Sequence, residues 1–232
     1  MSLRVNKIEA GYGERSIVDD ISFSIESGKI MALFGHNGAG KSTVLKALLG
    51  LIQTSSGTIE LGGERIEKLS IDGRLDRGLR LLPEGRGVFP ELTVAENLAV
   101  VSSVNEGREP MKITSGDVLE LFPVLAERRN TLAGSMSGGQ QQMLAVGLAI
   151  LGSPKCLLLE EPSVGLQPDL VEHLFAQISK ICKTHDISAI LIEHKIASAM
   201  KIVDDVLILN SGRVVFTGSN AETRKTDIWQ FF

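Results

Sequence analysis

A chain of 232 residues with a net charge of -4 and no block of Lys or Arg is long enough for one sizeable core, alone or with an inserted subdomain. That charge argues against a nucleic acid as the main partner, because phosphate backbones are met by clustered positive charge. Its apolar stretches, such as 187–192 and 206–209, fall far short of the roughly 20 residues that span a bilayer. The first residues, with Arg4, Lys7 and Glu9, lack the apolar core of a secretion signal, so a cytosolic chain is expected.

From the N-terminus, Ile21, Phe23 and Ile25 alternate with Ser22, Ser24 and Glu26, the period of a strand with one wet face. The continuous apolar run 30–34 reads as a buried parallel strand, and residues 44–49 as the first turns of a helix. Thr58, Ile59, Glu60 and Leu61 repeat the alternation before Gly62 and Gly63, so these two segments predict an antiparallel layer. From about 95 to 152 the periodicity is helical, with Val118, Leu119, Leu121, Phe122 and Leu125 on one stripe and Gly107, Pro110 and Gly116 as punctuation. This stretch is expected to be a mostly helical subdomain inserted into an α/β core. The runs 156–159 and, apart from Ser188, 187–192 are apolar like 30–34, and helices between the runs indicate a mostly parallel sheet. Residues 206–209, the turn Asn210-Ser211-Gly212 and residues 214–216 predict a late hairpin, after which Asn220 is expected to cap a short helix. Cys156 and Cys182 lack C-x-x-C spacing and read as small buried apolar residues.

The chemistry begins with Gly35-His36-Asn37-Gly38-Ala39-Gly40-Lys41-Ser42-Thr43, which fits the phosphate-loop pattern G-x-x-x-x-G-K-[ST] at every fixed position. Glycines let successive backbone N–H groups face a polyphosphate, with the positive end of the following helix behind them. Lys41 can reach the β- and γ-phosphates, and the Ser42 hydroxyl can take a place on Mg²⁺. His36 stands at a variable position of the loop, so its side chain is expected to face away. A glycine-rich turn that merely joins a strand to a helix is the bland alternative, and it leaves the complete pattern between the right elements unexplained.

Further along, Met136-Ser137-Gly138-Gly139-Gln140 resembles the signature of ATP-binding-cassette (ABC) ATPases, usually Leu-Ser-Gly-Gly-Gln. Cys156-Leu157-Leu158-Leu159-Glu160-Glu161-Pro162 is similar to their Walker B strand, and His194 matches their switch histidine. The resemblance covers essentially the whole chain. It implies an ABC-type P-loop NTPase fold in a single domain, with ATP bound by residues 35–43 and the Tyr12 ring on adenine. Packing of Tyr12 on its own hairpin is the other reading of this residue. The resemblance further implies Mg²⁺ held at Ser42, Glu84 and Glu160, an attacking water polarised by Glu161, and His194 on the γ-phosphate. Ser137, Gly138, Gly139 and Gln140 are implied to serve the γ-phosphate bound to a second ATPase subunit, identical or not.

The segment from Leu82-Pro83-Glu84-Gly85-Arg86 to Pro90, then Leu92-Thr93-Val94-Ala95-Glu96-Asn97-Leu98, looks like the second ATPase subunit of branched-chain amino-acid importers and their urea- or amide-importing relatives. Leu121-Phe122-Pro123 and Glu161-Pro162-Ser163-Val164-Gly165-Leu166-Gln167-Pro168 extend that likeness. It implies an ATPase bound to transmembrane permease subunits on the inner face of the cell membrane. Besides Met136 in the signature, four positions depart from the usual pattern: Glu160 replaces Asp, Glu84 replaces Gln, Gln167 replaces Asp and Leu148 replaces Arg. The departures at Glu160 and Leu148 keep a second reading open, an ATP-binding regulatory cassette with weak hydrolysis. A soluble, non-transport ABC ATPase is the third. His173 and His185 read as solvated.

Overall fold

The computed structural model describes residues 2–13, 15–85, 87–104 and 111–231. Gly107, Pro110 and Arg86 of the sequence reading lie outside the described residues. The chain runs through β1 (Leu3–Tyr12), β2 (Arg15–Ile25), β3 (Ile30–Phe34), α1 (Lys41–Leu49), β4 (Thr54–Leu61), β5 (Glu64–Arg65), α2 (Ile71–Asp76) and β6 (Leu79–Leu82). Helices follow: α3 (Val94–Val104), α4 (Ser115–Leu121), α5 (Pro123–Glu127) and α6 (Gly138–Ile150), with a 3-10 turn at Ala133–Ser135. The core then resumes with β7 (Cys156–Glu160), α7 (Pro168–Thr184), β8 (Ser188–Ile192), α8 (Ile196–Ala199), β9 (Asp205–Asn210), β10 (Arg213–Ser219) and α9 (Asn220–Thr223), and a 3-10 turn at Ile228–Phe231.

Six strands form the core sheet in the order β10-β9-β3-β8-β7-β6. All neighbours are parallel except the hairpin pair β9 and β10. Every residue of β3, β7 and β8 is buried, which is why these strands are apolar apart from Glu160 and Ser188 at their ends. Period two divides β3 between two cores: Ile30, Ala32 and Phe34 pack on the side of α6 and α7, and Met31 and Leu33 on the side of α1. Each large side chain buried in this way contributes about 1.5–3 kcal/mol. The hairpin turn places Ser211 and Gly212 at φ 48° and 78°, as a two-residue type I′ loop requires.

The second sheet is antiparallel, β2-β1-β4-β5, and closes over α1. The sequence reading found β2 and β4 but not β1, its central strand. Leu3, Val5, Ile8 and Ala10 are buried, and that spacing is not period two. A bulge shifts the register between Val5 and Ile8, and Lys7 takes a left-handed φ of 49°. The extra residue hides the alternation.

In the helical stretch, the stripe is divided between two short helices: Val118, Phe122 and Leu125 are buried, with a break at Phe122 before Pro123. One cap is corrected. Ser219, not Asn220, caps α9, its hydroxyl accepting from the Glu222 N–H while Glu222 closes the box on the Ser219 N–H. The Asn220 amide instead donates to the Met200 and Val203 carbonyls at 2.8 and 2.7 Å. Both cysteines are buried, as expected.

Candidate active site

The loop between β3 and α1 is shaped by close approaches that exclude side chains. A Cβ on Gly35, at φ 145°, would stand 2.3 Å from the Leu209 carbonyl oxygen; on Gly40, at φ 104°, it would stand 2.7 Å from Val18 Cγ1. Gly40 leaves the N-terminus of α1 without a side-chain cap, and no acid occupies its first turn. The helix therefore presents open N–H donors and a positive end to an anion.

Lys41 opens α1 and is only 8% exposed. Its Nζ donates to the Gly35 and His36 carbonyls at 2.8 and 3.0 Å. Burial pushes the ammonium pKa down, opposed by the charges of Glu161 and Glu160. A partly desolvated cation at the mouth of a helix N-terminus is a strong partner for phosphate.

A cleft of about 590 Å³ lies over this loop, lined by Asn37, Gly38, Gly40, Lys41, Ser42 and Thr43. Tyr12, Glu84, Glu161 and His194 complete its walls, so residues up to 182 positions apart in the chain meet at one site. Tyr12 stands at the end of β1 and is 54% exposed; its ring faces the cleft and solvent. Glu161 follows β7 in a left-handed conformation, φ 49°, with its N–H bonded to the Ile192 carbonyl at 2.9 Å. That turn aims its carboxylate at His194, whose Nε2 is 2.9 Å from Glu161 Oε1.

Other expected residues stand apart. Gly35, His36, Ala39 and Glu160 do not line the cleft. The His36 ring turns to the Asn37 carbonyl and to Asn210 Oδ1, at 2.8 and 3.2 Å. Ala39 is fully buried, and Glu160 is 8% exposed at the end of β7. Ser137, Gly138, Gly139 and Gln140 also lie outside the cleft. Ser137 caps α6, its Oγ accepting from the Gln140 N–H at 3.3 Å, while Gln140 Oε1 accepts from the Ser137 N–H at 3.1 Å. Leu148 is buried in the core cluster that α6 shares with the sheet, where an apolar side chain fits. Gln167 is exposed and heads α7 without a side-chain cap.

Sequence reasoning missed Ile17 and Ile192 in the cleft wall, and Glu193 beside it. The one signal for Glu193 was an acid directly between an apolar strand and a candidate histidine.

Residues 18–164 match the family described as ABC transporter. The chain belongs to the ABC transporter family. It is 39% identical to the high-affinity branched-chain amino acid transport ATP-binding protein BraG of Pseudomonas aeruginosa, over 94% of this chain and 93% of that protein. It is 36% identical to a probable branched-chain amino acid transport ATP-binding protein, LivF, of Archaeoglobus fulgidus, over 95% and 93%. The fold of a nucleotide-free ATP-binding cassette from an ABC transporter superposes with a TM-score of 0.85, covering 97% of this chain and 93% of that one at 24% identity. The ABC fold expected from the motifs is therefore the observed fold. As an ABC cassette the chain binds adenine nucleotide. Among the described residues no helix is long and apolar enough to cross a membrane.

Proposed function

We propose that this chain is the ATP-binding and ATP-hydrolysing subunit of an ABC importer for branched-chain amino acids or related small polar solutes. The cargo reading rests on the likeness to BraG and LivF, which spans both proteins nearly end to end. One observation carries the hydrolytic reading: Lys41, Glu161 and His194 share a cleft in which Glu161 meets His194 at 2.9 Å.

The triphosphate of ATP lies against the loop and the N–H groups of α1, and Lys41 exchanges loop carbonyls for phosphate oxygens. Tyr12 offers its ring to adenine, a stacking contribution of about 1–3 kcal/mol. Glu161 orients and polarises the attacking water. In the described arrangement a His194 ring N–H donates to Glu161; with a γ-phosphate in the cleft the same N–H can turn to it. Catalysis of this kind is positioning and electrostatic stabilisation rather than covalent chemistry. Ser42 and Glu84 line the cleft with Glu161, a set of oxygen donors that suits Mg²⁺, which keeps waters and phosphate oxygens as its other ligands. Ser42, Glu84 and Glu160 would hold it, and when bound it neutralises charge on the phosphates.

Because Ser137 and its neighbours lie off their own cleft, they suit the cleft of a second ATPase subunit, with ATP between the two. Helices α3 to α6 form the subdomain inserted in a single ABC ATPase domain. Beside them the exposed Phe89 and the Glu84 loop offer a surface to the permease, which holds the subunit on the cytoplasmic face of the membrane.

Phosphate release by the purified subunit, wild type beside Glu161→Gln, tests the hydrolytic reading. Gln keeps the size and removes the charge that polarises water. Turnover is expected to fall by at least about 100-fold with ATP still bound and a closed dimer on size-exclusion chromatography. Undiminished release would move the chemistry elsewhere. Uptake of branched-chain amino acids by the complex with its co-purifying membrane subunits tests the cargo.

A further inference from the structure

Two residues to which no role has yet been given flank His194. Glu193 is an acid only 4% exposed, one position beyond a wholly buried strand. Its Oε1 accepts from the Ser163 N–H at 2.8 Å, and its Oε2 from the N–H groups of His194 and Lys195 at 3.2 and 3.5 Å. Lys195 reaches the same turn from its other side, Nζ donating to the Ser163 and Leu166 carbonyls, both at 3.2 Å.

Ser163 and Leu166 bracket the turn that directly follows Glu161. The Val164 N–H bonds the Glu161 carbonyl at 3.1 Å, and the Leu166 N–H bonds the Ser163 carbonyl at 3.2 Å. The buried Ser163 hydroxyl has no hydrogen-bond partner among the described residues, so Glu193 and Lys195 hold the turn through its main chain. A buried carboxylate is tolerated when its oxygens accept hydrogen bonds. Here the accepted donors come from two separate segments, one starting two residues after Glu161 and the other at His194 itself. Glu161 also needs support, because a left-handed non-glycine residue persists only where its surroundings hold it.

We infer that Glu193 and Lys195 are positioning residues, a clamp that fixes the turn after Glu161 to the strand end carrying His194 and thereby sets the Glu161–His194 contact. The inference rests on the reading of Glu161 and His194 as the hydrolytic pair. Neither clamp residue itself lines the nucleotide cleft, so the effect should fall on turnover and not on ATP binding. Glu193→Gln keeps the volume but turns one acceptor oxygen into a donor, so one of the two segments loses its bond. Lys195→Met keeps the apolar stem and removes both Nζ contacts on an exposed side chain.

The test is a double-mutant cycle of each variant with His194→Ala, read as kcat and KM for ATP in steady-state phosphate release. Misplacement of about 1 Å in a positioned site costs on the order of 100-fold, so Glu193→Gln is expected to lower kcat by about 10- to 100-fold. Lys195→Met, which leaves the carboxylate in place, should lower it by about 3- to 10-fold on the same reasoning. KM should change by less than about twofold, because the phosphate loop is untouched. With His194 already replaced, each clamp variant should change kcat by less than about twofold, since the contact it maintains no longer exists. Equal fold losses in both backgrounds would mean a general structural role and overturn the clamp, as would full turnover in Glu193→Gln while His194→Ala is impaired. If His194→Ala itself keeps full turnover, the reading of the site fails instead. Should Glu193→Gln not yield folded protein, the Lys195→Met cycle decides by the same criteria.

Discussion

The guanidinium of Arg74 donates from Nη1 to the Leu48 carbonyl at 2.6 Å, and so closes the far end of the helix that begins at Lys41. The same nitrogen reaches the Ala47 carbonyl at 2.7 Å, while Nη2 and Nε bond the Glu67 and Leu69 carbonyls at 2.8 and 3.2 Å. A cation at a helix C-terminus satisfies orphan carbonyls and complements the negative end of the dipole. The phosphate-loop helix thus has a built-in cation at one end and an uncapped N-terminus, open to an anion, at the other.

Arg74 is 2% exposed, so water does not replace its bonds when it is lost. Arg74→Met should cost about 3 kcal/mol, the penalty for leaving buried carbonyls without donors. In a domain of this size that lowers the melting temperature by on the order of 6–12 °C. Thermal denaturation of the two proteins checks it. An unchanged melting temperature would mean that the carbonyls find other donors and that the helix end does not depend on Arg74.

Lys41 makes a different kind of contribution. Its two loop contacts are the bonds it must exchange for phosphate oxygens, and charge-assisted bonds contribute about 1.5–3 kcal/mol each. Lys41→Ala should therefore weaken ATP binding by at least about 100-fold and abolish turnover. Nucleotide titration by calorimetry measures this directly. Wild-type affinity in the variant would show that the phosphates bind away from this loop.

Much of this was legible from local pattern. The runs 30–34 and 187–192 are strands because both their faces are covered, and the phosphate loop is a contiguous motif. The late hairpin announced itself through Ser211 and Gly212. What escaped depended on contacts between distant residues or on irregular backbone. The bulge at Lys7 concealed β1. Ser219 and Glu222 carry the spacing of a capping box, and attention to that pair, instead of to Asn220 alone, would have found the true cap. Glu193 could not be read as buried, since its Ser163 partner lies 30 positions earlier.

The two cysteines provide a test of packing that is independent of nucleotide. Burial pushes both the Cys156 and Cys182 thiols up to about 12. At pH 8 the thiolate fraction is then on the order of one in ten thousand, and the thiolate is the reactive form. Native protein should resist a thiol-specific reagent over hours at pH 8, and both thiols should react once the chain is unfolded in guanidinium. Rapid labelling of one thiol in the native state would show that its surroundings open far more readily than the packed sheet and helix imply.

The last expectation concerns Glu160, where a longer acid replaces the usual Asp. It ends β7 with 8% exposure, and its strand register pairs it with Ile192, so the backbone leaves it little room to withdraw. The extra methylene moves the carboxylate relative to an ion that demands near-ideal octahedral placement. Glu160→Asp should then raise turnover at limiting Mg²⁺ while leaving metal-free nucleotide binding unchanged. It should also lower stability by about 1 kcal/mol, because the shorter side chain leaves a methylene-sized gap in a buried position. The opposite outcome has an equally physical cause. If the strand end is set so that only the longer side chain reaches the metal shell, Asp falls short and turnover drops at every Mg²⁺ concentration. Turnover of both forms across a Mg²⁺ series separates the two. A gain confined to low Mg²⁺ identifies Glu160 as an impaired ligand and favours a slow, regulatory cassette. A loss throughout identifies it as a compensated substitution, and the weak-hydrolysis reading then loses its main support.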